Sequence, residues 1–193
     1  MNTRTALLDS AERAARQRGY DGFSYADLAR NVGIRKASIH HHFPTKANLA
    51  LRLIERYVLR FAVALSRIAD TPSNGADRLR AYHGLYREAL GDATQLCLCV
   101  VFSAGRDSLS EPVLDALNQF HADSIAWLET VFRTAQADGS VNGLDDVSAE
   151  ARATLALMEG AQLVARSAAD LKQFDQATAA FLARLSPESR RPT

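Results

Sequence analysis

Residues 23–49 read FSYADLARNVGIRKASIHHHFPTKANL and decide how the N-terminal part of the chain folds. Ser24 is a favourable N-cap, and Asp27 three residues later comes close to a capping box. Three apolar residues then fall on one helical face: Leu28, Ala29 and Val32. Gly33 can take the left-handed conformation that a sharp turn needs. The stretch therefore predicts a helix, a tight turn and a second helix.

The second helix carries polar or basic side chains and no acid. They lie between and beside the apolar anchors Ile34 and Ile39, and they are Arg35, Lys36, Ser38, His40 and His41. The helix ends at Phe43-Pro44, because the residue before a proline disfavours the helical region. Thr45 caps the next helix, and Lys46 in its first turn opposes the helix dipole and calls for an anion such as phosphate. This arrangement fits insertion of the second helix into the major groove of DNA.

The run GIRKASIHHHFPTK, residues 33–46, resembles the DNA-binding domain of the TetR family of bacterial transcriptional regulators. Arg35 replaces the usual hydroxyl N-cap of the recognition helix, Ala37 a common glycine, and His40 the usual tyrosine. The resemblance implies that Arg35, Lys36 and Ser38 read or approach bases. The residues that it implies at phosphates are Ser24, Tyr25, His40, His41, Thr45 and Lys46.

The charge of the chain is unevenly placed. The 193 residues carry a formal net charge of only +1. Residues 1–67, however, hold 12 Lys and Arg against 5 Asp and Glu, and the remainder carries a net charge of −6. A basic first third indicates a polyanion partner at that end. No apolar run approaches a membrane span and no signal-peptide segment precedes the first helix, so we expect a cytoplasmic protein.

The rest of the chain predicts helices, with no convincing strand pattern. The first helix, at about residues 3–18, completes a three-helix domain over residues 1–48. We expect later helices at about residues 46–69, 76–90, 94–103, 112–138, 147–168 and 171–185. The prediction is an all-α fold, and the resemblance implies that residues 49–186 form a helical ligand-binding and dimerisation domain. A disordered tail is expected at residues 187–193.

The resemblance also implies partners for the later helices. The last two helices, at about residues 147–185, would form the interface of a homodimer, and their many small residues permit close helix packing. The middle helices would enclose a pocket for a small-molecule inducer. The candidate ligand-binding residues are Tyr82, Tyr86, Cys97, Phe102, His121 and Trp127. The expected protein is a repressor that binds a palindromic DNA operator.

Cys97 opens the stretch CLCVVFSA, which resembles a helix of family members that respond to electrophiles through a cysteine. The simpler interpretation is that Cys97 and Cys99 are small buried hydrophobes. A disulfide between them is implausible, because positions i and i+2 of a helix point to nearly opposite sides.

Other functions find little support in the residues. His40, His41 and His42 point about 100° apart on a helix and cannot converge on one metal ion. No phosphate-binding loop or catalytic motif occurs, so we expect no enzyme and no cofactor. The alternative function is a helical ligand-binding sensor that has kept the fold without specific DNA binding.

Overall fold

The computed structural model describes residues 2–186, so the predicted tail at residues 187–193 lies outside the described part of the chain. Within that part the regular elements are nine α-helices and a short 3-10 helix, and an isolated β-bridge joins Val141 to Leu185. The α-helices are α1 Thr3–Arg18, α2 Tyr25–Val32, α3 Lys36–His42, α4 Lys46–Asp70, α5 Gly75–Ala89, α6 Leu98–Ala104, α7 Glu111–Asp138, α8 Val147–Ala168 and α9 Leu171–Ala183. The all-α prediction is confirmed. No helix in the described residues is long and apolar enough to cross a membrane.

The helices fall into two compact units. The first comprises residues 1–60 and 95–120, which include α1 to α3, the first part of α4, α6 and the start of α7. The second comprises residues 61–94 and 121–193, and within its described part it holds the end of α4, α5, the rest of α7, α8 and α9. The predicted boundary between residues 48 and 49 stays a prediction.

In the first unit, α1 is defined at both ends by local bonds. The Asn2 side chain accepts from the Arg4 amide, and Gly19, at a φ of 86°, ends the helix while its N–H bonds Ala15. One face of α1 is buried through Leu7, Leu8, Ala11, Ala14 and Ala15. These residues form a core with Leu28, Ile39, Phe43, Leu49 and Leu53 of the next three helices and the turn before α4.

Glu12 is a charged residue on the buried face of α1, and only 7% of it is exposed. Its two carboxylate oxygens accept hydrogen bonds from Arg56 at 2.7 Å and Arg60 at 2.5 Å, both on α4. Arg56 also donates to Asp9 at 2.7 Å, one turn earlier on α1. The buried charge is therefore paired, and the pairing ties α1 to α4.

In the second unit, a close backbone contact joins α5 to α7. A Cβ on Gly75 would lie 2.4 Å from Ala135, so only glycine fits there. The Gly75 amide donates to Asp138 at 2.7 Å. Further along α5, Arg87 makes a bidentate ion pair with Asp175 of α9, and the buried Gln162 of α8 donates to the Tyr86 carbonyl.

Two element boundaries differ from the predictions. The helix expected at residues 94–103 begins only at Leu98, because Ala93 takes a left-handed conformation at φ 55° and the Leu96 backbone bonds Arg16 instead of a helical neighbour. The helix expected to reach residue 185 ends at Ala183, and Leu185 pairs with Val141.

Glu12→Ala should lower the free energy of unfolding by about 2 kcal/mol. The change leaves Arg56 and Arg60 without their carboxylate partner, and the cost stays below that of a fully buried pair because Arg60 is half-exposed. Urea denaturation measures it. Glu55→Ala is the control, since Glu55 pairs with Arg52 on the exposed side of α4 and its loss should cost under about 0.5 kcal/mol. Equal losses in the two variants would contradict the role of Glu12.

Candidate nucleic-acid interface

The start of α2 is fixed by a complete capping box. The Ser24 hydroxyl accepts from the Asp27 amide at 3.3 Å, and the Asp27 carboxylate accepts from the Ser24 amide at 2.9 Å and from its hydroxyl at 2.7 Å. These bonds from the Ser24 side chain and backbone lower the pKa of Asp27 below its usual value. The capping box expected from the sequence is present.

The turn between α2 and α3 depends on Gly33. Its φ of 74° and ψ of 34° are left-handed, and the amides of Gly33 and Ile34 both donate to Ala29 at 2.9 and 3.0 Å. A side chain at this position would be strained, because left-handed backbone is costly for residues with a Cβ. The turn therefore sets the direction in which α3 leaves α2.

α3 buries one residue and exposes its basic ones. Ile39 is fully buried, whereas Arg35, Lys36, Ser38 and His41 are exposed. Arg35 occupies the N-cap position and makes no capping bond through its side chain, as its replacement of a hydroxyl residue predicts. Within the described residues neither Arg35 nor Lys36 makes an ion pair. Their charges are therefore available to an external anion.

The start of α4 adds a hydroxyl and an ammonium group. The Thr45 hydroxyl oxygen accepts from the Asn48 amide at 3.1 Å, which leaves its hydrogen to donate outward. The Lys46 ammonium lies over the rings of Tyr20 and Phe23, at 4.5 and 4.7 Å, and 4.0 Å from Asp21. Partial burial lowers the pKa of Lys46, and the Asp21 carboxylate opposes that shift.

Two of the hydroxyl groups expected at phosphates donate hydrogen bonds within the protein. Tyr25 is 8% exposed, and its hydroxyl donates to the Phe43 carbonyl at 2.8 Å. Burial is the main reason that its pKa rises to about 12. The Ser24 hydroxyl hydrogen is donated to Asp27. In this structure both hydroxyl hydrogens are donated within the protein, and the phosphate contacts expected of Ser24 and Tyr25 stay predictions.

His40 is exposed, and one of its two ring nitrogens faces a backbone carbonyl. Its Nδ1 lies 3.2 Å from the Pro44 carbonyl oxygen, which can only accept, so Nδ1 carries a proton. Nδ1 is therefore engaged within the protein, and Nε2 is the ring nitrogen that remains for an external partner.

His42 is half-buried beside Phe43, with ring centroids 6.5 Å apart, whereas His41 is exposed. The two histidine rings meet edge to face at 5.6 Å. Across residues 2–186, no group of three or more histidine, cysteine or acidic residues could hold a metal ion.

Sequence reasoning missed Arg4. Its guanidinium lies 5.5 Å from the centre of the Phe43 ring, and the residue is exposed. The contact brings a positive charge from the first turn of α1 to the end of α3. The sequence carries no local signal for this contact, since 39 positions separate the two residues.

The six residues expected in the inducer pocket are divided between the units. Cys97 and Phe102 are buried in the first unit, where Phe102 packs edge-on against Tyr20 at 5.9 Å. The other four belong to the second unit: Tyr82, Tyr86, His121 and Trp127. The structure therefore does not gather all six in one unit.

The four residues of the second unit form two groups. Tyr82 stacks on Trp127 at 5.4 Å, and its hydroxyl lies 3.3 Å from that of Tyr86. His121 lies 3.3 Å from the carboxylate of Glu159 on α8. Polar tips thus occur among aromatic rings, an arrangement suited to an apolar ligand with few polar groups.

The Cys97 thiol accepts a hydrogen bond from the Tyr57 hydroxyl of α4 at 3.2 Å. Burial raises the pKa of Cys97, but hydrogen bonds from the Cys99 and Tyr57 side chains and from backbone amides outweigh it and bring the pKa to about 7. These hydrogen bonds lower the pKa of the Cys97 thiol below that of a free cysteine, although only 2% of the residue is exposed.

Comparison with known proteins places residues 7–53 in a family. Residues 7–53 match the model of bacterial regulatory proteins of the tetR family. A TetR-family transcriptional regulator from Agrobacterium tumefaciens, of known structure, is 31% identical to the chain. Its superposition covers 96% of this chain and 98% of that one, with a TM-score of 0.90.

Two further proteins are more distant. The transcriptional repressor NemR of Escherichia coli K12 is 26% identical over 184 residues, which are 92% of this chain and 91% of NemR. The fold also resembles AibR, solved with isovaleryl coenzyme A and operator DNA. That match has a TM-score of 0.74 at 21% identity and covers 97% of this chain and all of AibR. These likenesses do not favour the sensor without DNA binding. The chain belongs to the TetR family and is a DNA-binding transcriptional regulator, not an enzyme.

Proposed function

We propose that this regulator is a homodimeric repressor that reads a palindromic operator with α3 and is released by an inducer. The observation that carries the proposal is the exposed basic surface of α3, where Arg35 and Lys36 have no ion-pair partner among the described residues. The capping box and Gly33 hold this surface on a buried core. In a dimer, two such helices would enter successive major grooves.

Bases and phosphates would be contacted by different residues. Arg35, Lys36 and Ser38 lie at the N-terminal end of α3, the part of a recognition helix that reaches base edges. Thr45, Lys46 and His41 would contact phosphates. His40 would do so through Nε2, since its Nδ1 faces the Pro44 carbonyl. We add Arg4, whose position beside Phe43 directs a charge towards the same end of the unit.

Lys46→Ala should weaken binding to all DNA sequences alike, because one phosphate contact is lost. The slope of the logarithm of the DNA association constant against the logarithm of the salt concentration should become shallower by about 1. Lys36→Ala should also relax base preference by about 1–3 kcal/mol at one position, if its ammonium reaches a base edge. Both are measured by titrating the selected operator and mismatched duplexes at several salt concentrations. Lys172→Ala, on the exposed side of α9, is the control and should bind as the parent does. If Lys46→Ala binds DNA with the affinity and salt slope of the parent, Lys46 does not contact a phosphate.

The dimer would form through α8 and α9. Several apolar residues of α8 are exposed in the single chain, among them Ala156, Gly160, Leu163 and Val164. Leu163 is 44% and Val164 is 52% exposed, although both are large and apolar. Such a face is typical of an interface. Ala161, one residue from this surface, is only 3% exposed and packs within its own chain.

Val164→Glu should convert the dimer to a monomer and abolish tight operator binding, because a charge would be buried without a partner in the interface. Sedimentation velocity measures the change, and Ala126→Glu on the exposed side of α7 is the matched control. If the Val164 variant sediments as the parent dimer does, the interface lies elsewhere.

The inducer is either an electrophile that modifies Cys97 or a ligand bound reversibly in the second unit. Bonds from Tyr57 and Cys99 favour the nucleophilic thiolate, and Tyr57 belongs to α4, the helix that follows the DNA-binding head. Addition of the thiolate to an activated alkene would form a C–S bond, and solvent would protonate the neighbouring carbon. The added volume would strain the packed surroundings of Cys97.

The alkylation rate of Cys97 should rise with pH through about 7 and level off above it, because only the thiolate reacts. Tyr57→Phe removes a hydrogen bond to sulfur and should move this midpoint to higher pH. Tandem mass spectrometry of the parent and the Tyr57 variant follows modification at Cys97 by N-ethylmaleimide separately from that at Cys99, and a parallel gel-shift follows operator release. Release that persists in Cys97→Ser, or that never occurs in the parent, would leave a reversibly bound ligand as the inducer.

A further inference from the structure

A cleft in the first unit is lined mostly by charged side chains, and none of its lining residues belongs to α3. Its volume is about 250 Å³, and its lining residues are Asp9, Glu12, Arg13, Arg16, Arg60 and Gln95. All of them belong to α1, to α4 or to the segment before α6. We call it the arginine cleft.

Four charges at this cleft already neutralise each other. Arg56 donates hydrogen bonds to Asp9 and to Glu12, and Arg60 donates one to Glu12, which gives a continuous chain from α1 to α4. The chain contains two carboxylates and two guanidinium groups, so its net charge is zero. The acids that line the cleft are therefore already paired.

Arg13 and Arg16 add two positive charges to this neutral chain. Arg16 is held in place, since its Nε donates to the Leu96 carbonyl at 2.8 Å and its guanidinium forms an ion pair with Glu12 at 4.0 Å. Arg13 is exposed and makes no hydrogen bond or ion pair with the described residues. The cluster thus carries an excess charge of about +2 around a concave surface, which a bound anion would offset.

We propose that the arginine cleft binds a small dianion, with carboxylate or phosphate groups, that bridges α1 and α4. Guanidinium groups recognise the oxygen pairs of such anions through parallel hydrogen bonds. The cleft is smaller than the pockets of about 300–1,000 Å³ that take drug-sized ligands, which selects for a compact molecule. The Gln95 amide supplies a further donor on its rim. Its lining shares no residue with the operator contacts or the inducer residues proposed above.

The test is calorimetric titration of the full-length protein with succinate and, separately, with inorganic phosphate, at pH 8 and fixed ionic strength. One saturable site per chain is expected for at least one of them, and which anion binds distinguishes a carboxylate from a phosphate ligand. Arg13→Gln should weaken the binding about tenfold or more, as the loss of a charged hydrogen bond predicts. Because Arg13 is exposed and unpaired in the described chain, the variant should keep its melting temperature.

Two controls separate this site from the DNA-binding surface. Arg106→Gln removes an exposed arginine of the same unit that does not line the cleft, and it should bind the anion as the parent does. Lys36→Ala should also leave anion binding unchanged while weakening operator binding. The absence of saturable binding for both anions would overturn the proposal, as would equal affinity in the parent and the Arg13 variant. Neither result would affect operator recognition.

Discussion

The buried carboxylate of Glu12 is the interaction on which the first unit depends. α1 packs through small and aliphatic residues, and such a face alone would permit sliding against a neighbour. The bonds from Glu12 to Arg56 and Arg60 define one register between α1 and α4, because both oxygens must be satisfied at once. α2 and α3 are then packed against helices whose relative position is already defined.

This arrangement explains why α3 can present unpaired charges. Its own contribution to the core is small, with Ile39 fully buried and Phe43 directly after it. The helix is held by the Gly33 turn and by the Tyr25 hydroxyl, which bonds the Phe43 carbonyl at its end. Since these contacts use one side of α3, Arg35 and Lys36 stay exposed on the other and make no ion pair within the described residues. Rigid support and exposed charge are what recognition of a defined sequence requires.

Much of this unit could be predicted from the sequence because the determinants are local. The Ser24–Asp27 capping box, the Gly33 turn and the stop at Phe43-Pro44 each lie within a few residues. The burial of Tyr25 was not predicted, because it depends on Phe43, 18 residues away. The start of α6 was wrong because Leu96 bonds Arg16 across the unit. The Glu12 pairing joins residues at least 44 positions apart, and periodicity carries no trace of it.

Sequence-specific recognition of DNA by two copies of α3 is the central claim. Selection of bound duplexes from a random pool, followed by hydroxyl-radical footprinting of the enriched sequence, tests it most directly. We predict a palindromic sequence with two protected segments, centred about one helical turn of 10–10.5 base pairs, or a multiple of it, apart. Failure to enrich any sequence, or a single protected segment without symmetry, would contradict the account.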